Sequence, residues 1–131
     1  MRNTSPTART KNPDRSYIPI LLGGIVGAMT LWPMSYTTLN NSTSTVALGW
    51  AIFCTVAGIY LGAVTERAIS QIALLTCGGV AIALGIRIVI DCTIDPTNHN
   101  LWPFEFVWMM IVCFPTSAIG GFLGRKLLSQ R

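Results

Sequence analysis

Four apolar runs of roughly 20 residues, at about 18–36, 46–64, 69–90 and 106–124, alternate with short polar segments along the chain. Each run is long enough to cross a hydrocarbon core of about 30 Å at 1.5 Å per residue. The pattern predicts an all-α fold, an integral membrane four-helix bundle. Connections of about nine, four and fifteen residues leave no room for a soluble domain, so the packed core is the bundle itself. The turn Thr65-Glu66-Arg67 is so tight that the second and third spans form an antiparallel hairpin.

Residues 1–16 are polar and basic without apolar periodicity, which predicts a disordered tail; residues 125–131 form a second, shorter basic tail, with the membrane domain over 17–124. The first run is too long for a secretory signal and lacks a small-x-small cleavage site, so it reads as an uncleaved span. Pro19 falls in its opening turn, and Pro33 predicts a kink or early stop near its far end. Pro115 removes one backbone hydrogen bond in the middle of the fourth span, and Thr116 or Ser117 is expected to satisfy the freed carbonyl.

Composition agrees with the pattern. Of 131 residues, 51% are hydrophobic and 11% charged, whereas a soluble domain carries about 25% charged residues. The net charge of +4 does not signal nucleic acid, because the basic residues sit at span ends and form no interleaved basic and aromatic surface. Arg2, Arg9, Lys11 and Arg15 precede the first span, Arg67 lies in the second connection, and Arg125, Lys126 and Arg131 follow the fourth. By the positive-inside rule both termini are cytoplasmic, and the short loops and basic tail fit a bacterial inner (plasma) membrane. Trp32, Trp50, Trp102 and Trp108 fall toward the outer ends of the spans and Tyr17 and Tyr60 toward the inner ends, as two interfacial aromatic belts would require. Cys54, Cys77 and Cys113 read as small core residues; Cys92 alone approaches the outer side.

Glycines recur four apart, Gly23 with Gly27, Gly58 with Gly62, and Gly120 with Gly124. Such pairs let helix backbones approach closely in lipid. The inner ends of spans two and four, GIYLG and GGFLG, are alike, and spans one and three share a Gly-Gly step. Two repeated helical hairpins would produce that likeness.

The chemistry concentrates between Gly85 and Phe106. That stretch holds Arg87, Asp91, Asp95, His99 and Glu105, which include three of the five acidic residues and the one histidine. Arg87 lies about 27 Å along the third span, near the outer headgroups, and can pair with Asp91 one turn later. The pair reads either as an interfacial anchor or as an anion or docking contact. Asp95 before Pro96 ends the helix and opens a turn, and Glu105 suits the positive end of the fourth helix. Asp91, Asp95, His99 and Glu105 are metal-ligand types, but Pro96 breaks any common helical face and no metal site is assigned. With Trp102, these residues form an outward cap, the expected ligand or partner contact. Its cofactor, if any, is unknown.

The opening LLGGIVGAM and Cys77-Gly78-Gly79 resemble the small fluoride-channel family over about fifteen residues. Thr30 and Leu31 then stand where that family has an arginine, and the second span has no pore-type asparagine, so its function is not carried over. Length and span count also resemble the small multidrug transporters. Those need a carboxylate inside the first helix, and no mid-span carboxylate occurs here.

The expected function is therefore an accessory, structural or assembly subunit of a larger membrane complex or homo-oligomer, in contact with the lipid bilayer. The alternative is a stand-alone protein with an outward ligand, metal or enzymatic site, or a small channel or transporter. An enzymatic role has no recognisable nucleophile to support it.

Overall fold

The computed structural model describes residues 17–32, 43–95 and 102–130. They form α1 (Tyr17–Leu31), α2 (Thr43–Val64), α3 (Ile69–Ile94) and α4 (Trp102–Ser129). The fold is all-α. Helices α2, α3 and α4 are each long and apolar enough to cross a membrane, whereas α1 is a shorter apolar helix of 15 residues, about 22 Å long.

The boundaries follow the prolines. Helix α1 stops at Leu31, short of the expected end of its span; the Trp32 N–H still donates to the Ala28 carbonyl at 3.0 Å, and Pro33 follows, a residue that disfavours helical backbone in the one before it. Helix α3 runs to Ile94, and Asp95, which precedes Pro96, is extended at φ −142° and ψ 104°. Helix α4 opens with Pro103 in its first turn, where a missing N–H leaves nothing unsatisfied. It continues through Arg125 and Lys126 to Ser129, well past the end of the apolar run, because Arg-Lys-Leu-Leu are good helix formers with no breaker among them.

Inside α4 the expected repair at Pro115 does not occur. The Thr116 hydroxyl donates to the carbonyls of Val112 and Cys113, at 2.7 and 3.2 Å. The carbonyl that Pro115 frees, four residues before it, is that of Ile111. Ser117 Oγ is buried and bonds nothing.

Packing pairs the helices that run in the same direction. Helix α2 lies most extensively on α4, and α1 on α3; α3 and α4 form an antiparallel contact, whereas the sequential pair α2 and α3 touch little. The register shows the direction: Gly23 meets Thr76 and Gly79, and Gly27 meets Val80 and Ala83. Likewise Gly58 meets Ser117 and Gly120, and Gly62 meets Gly121. The approaches are reciprocal. A Cβ built on Gly23 would collide with the Thr76 carbonyl, and one on Gly79 with the Ile20 carbonyl; Gly58 stands so to Ser117, and Gly120 to Thr55. Tyr17, the Val64–Ile69 turn and Ser129 consequently share one end of the bundle, and Leu31, Thr43, Ile94 and Trp102 share the other.

Helix α3 is the most buried of the long helices and α4 the least. The core gathers Val80, Leu84 and Ile88 of α3 with Trp50 and Cys54 of α2 and Met109 and Cys113 of α4. Trp50 corrects the belt assignment: it is 4% exposed, on the α2 face shared with Val46, Cys54 and Leu61, rather than at an interface. Trp32, Trp108, Tyr17 and Tyr60 are exposed, as belt residues would be.

Candidate functional site

The Leu31/Ile94 end of the bundle carries the charged cluster. On α3, Arg87 and Asp91 are one turn apart and therefore on the same face. Arg87 Nε donates to Asp91 Oδ2 at 2.7 Å, with the two side chains 16% and 10% exposed. The other arm of the guanidinium reaches α1, where Nη1 lies 3.5 Å from the carbonyls of Leu31 and Trp32. These are long contacts, but their position is informative. The carbonyls of a last helical turn have no intrahelical donors and carry the negative end of the helix dipole, which suits a cation. Arg87 thus ties the end of α1 to α3 while Asp91 holds the guanidinium in place.

Asp95 caps α3, its N–H donating to the Asp91 carbonyl at 2.9 Å. Glu105 is half-buried in the first turn of α4, and Phe106 packs its ring edge 3.8 Å from where a Cβ on Gly85 would stand. Cys92 is half-buried beside this cluster. The structure therefore joins Arg87 with Asp91 and places Asp95, Trp102 and Glu105 at the same end of the bundle. His99 and the Trp102 side chain lie outside the described residues. Among the described residues no three His, Cys, Asp or Glu side chains are placed to hold a metal ion.

A second polar group lies in the bundle centre. Cys54, Cys77 and Cys113 are buried free thiols. Thr76 Oγ1, Ser117 Oγ and Trp50 Nε1 are buried without a hydrogen-bond partner. The sequence reading of the three cysteines as core residues agrees with their burial.

The third feature was not expected from the sequence. At the Val64/Ser129 end an open groove of about 520 Å³ runs between the last turn of α2 and the extension of α4, lined by Gly62 to Glu66, Arg125 and Leu128. Arg125 Nη2 donates to the Arg67 carbonyl, so the guanidinium closes the α2–α3 turn from the α4 side. The signal in the sequence was the continuation of helix formers past Gly124, which carries Arg125 alongside the turn.

No protein-family model matches the chain, and neither a curated protein nor a solved structure is significantly similar to it.

Proposed function

We propose that this is a small multi-pass membrane protein that works by association, as an accessory or assembly subunit of a larger membrane complex, with the 91–105 segment as its contact surface on the outer side. The observation that carries the reading is how the polar chemistry is used. Arg87 and Asp91 are engaged with each other, and Arg87 also with the end of α1, and the interior is filled by helix-to-helix contact at backbone distance.

Apolar surface is left facing outward instead. On α4, Phe104, Trp108, Ile111, Ile119 and Phe122 are exposed along one stripe at helical spacing. In a membrane such a stripe is covered by lipid or by another protein's helix. Glycine-mediated packing of the two parallel pairs makes the bundle a rigid carrier for that stripe, since close backbones supply van der Waals contact where no hydrophobic drive exists. The reciprocal glycine contacts suit a chain built from two repeated hairpins, α1–α2 and α3–α4. Both termini are assigned to the cytoplasm by charge, and the membrane to a bacterial inner membrane.

The test is photo-crosslinking in living cells from a photoreactive residue placed at Trp108 or Phe104, with exposed Leu48 on α2 as a comparison site. The proposal expects one discrete crosslinked protein from the α4 stripe or the outer segment. Crosslinks to lipid alone from all three positions would end it.

A further inference from the structure

We propose that the groove at the Val64/Arg125 end is a binding site for the phosphoethanolamine headgroup of a membrane lipid. This deepens the membrane reading above and rests on it. Two residues of opposite charge line the groove, Arg125 from α4 and Glu66 from the turn after α2. The α2 wall is negative for a second reason. The last helical bond of α2 runs from Thr65 N to the Leu61 carbonyl at 2.9 Å. The carbonyls of Gly62, Ala63 and Val64 therefore lie beyond the hydrogen-bonded ladder, at the negative end of the helix dipole.

A purely anionic headgroup would meet Arg125 but also Glu66 and these carbonyls. A zwitterion suits both walls, its phosphate on the Arg125 N–H groups that the Arg67 carbonyl does not take, and its ammonium on the carboxylate and carbonyls. The ammonium has to donate hydrogen bonds to satisfy that wall, which a primary ammonium does and the quaternary ammonium of choline does not. The groove volume of about 520 Å³ is ample for such a headgroup. The acyl chains leave on the membrane side of Arg125, where Gly62 and Ala63 give the groove an apolar α2 wall. The level is right as well, since α2 ends there and Arg125 marks where α4 leaves the apolar run.

The experiment uses the full-length protein purified in mild detergent and offered an equimolar mixture of phosphatidylethanolamine, phosphatidylglycerol and phosphatidylcholine with matched acyl chains, with retained lipid read by native mass spectrometry. Wild type is expected to retain phosphatidylethanolamine about tenfold over phosphatidylcholine, the order expected of one charge-assisted hydrogen bond. Glu66→Gln, at an exposed position that folding does not need, is expected to remove that preference. Arg125→Gln is expected to lower retention of all three lipids. Equal retention of the three lipids by wild type, a preference for phosphatidylglycerol, an unchanged preference in Glu66→Gln, or displacement of lipid by inorganic phosphate would each overturn the proposal. The wild-type comparison needs no variant, so misfolding of Arg125→Gln leaves the outcome readable. Alkaline washing of native membranes separates the two failures. Release of the protein by the wash defeats the membrane reading, whereas a protein that stays and shows no lipid preference defeats only this site.

Discussion

Adjacent glycines on α3 give the sharpest test of the parallel crossing. At Gly79 an added methyl would stand 2.6 Å from the Gly24 amide nitrogen and 2.9 Å from the Gly23 carbonyl carbon, and would collide with the Ile20 carbonyl. All three neighbours are backbone atoms of α1, so no side-chain rotation relieves them. Comfortable contact requires about 3.5 Å, so α1 must move off α3 by about 1 Å, and a gap of that size forfeits a quarter to a half of each contact's attraction. Overpacking of this kind costs about 1–3 kcal/mol, against a gain of about 1 kcal/mol from replacing a helical glycine by alanine. At Gly78 the same methyl meets nothing within 4 Å, so the propensity gain stands alone. Gly79→Ala is therefore expected to be less stable than Gly78→Ala by about 1–3 kcal/mol, read as a lower midpoint in thermal unfolding in one detergent, with Gly78→Ala at or above wild type. Equal midpoints for the two variants would refute the argument that α1 and α3 meet through their backbones at this step.

Arg87→Met takes away the ion pair of the buried Asp91 and is expected to lower stability by about 2 kcal/mol, and the double variant Arg87→Met/Asp91→Leu to recover part of it; a thermal unfolding cycle over the four proteins checks the sign. Cys54, Cys77 and Cys113 are buried, and Cys92 half-buried; a water-soluble maleimide is expected to modify one thiol per folded chain and four after denaturation in SDS, counted by intact mass. Ser117→Ala removes a buried hydroxyl that has no partner, and is expected to leave stability unchanged or raise it by up to about 1 kcal/mol, in the same unfolding assay.

Much of the architecture was legible because each helix coincides with a long apolar run of the sequence. The four helices, the tight Thr65–Ala68 turn and the helix end before Pro96 all follow from local chemistry. What the runs do not encode is which helix faces which. Gly23 and Gly79 are 56 positions apart, and nothing local says that α1 lies on α3 rather than on its sequence neighbour α2. The same blindness misplaced Trp50, since the belt rule counts depth along a helix and not the direction a side chain points. At the charged end the Arg87–Asp91 pair was readable from its spacing of one turn. The reach of Arg87 to the Leu31 and Trp32 carbonyls was not, because it depends on the α1–α3 crossing. The groove beside Arg125 was missed for a related reason: a basic residue after a span satisfies a topology rule, and that sufficient explanation concealed its position against the end of α2.

The central claim is that this protein acts by associating with a larger membrane partner. Its most direct test is extraction of native membranes with a lipid-preserving polymer, capture through a C-terminal tag, and native mass spectrometry of what is released. The account predicts the 14.2 kDa chain in fixed stoichiometry with at least one larger membrane protein. A lone monomer, or a homo-oligomer with no other chain, would contradict it.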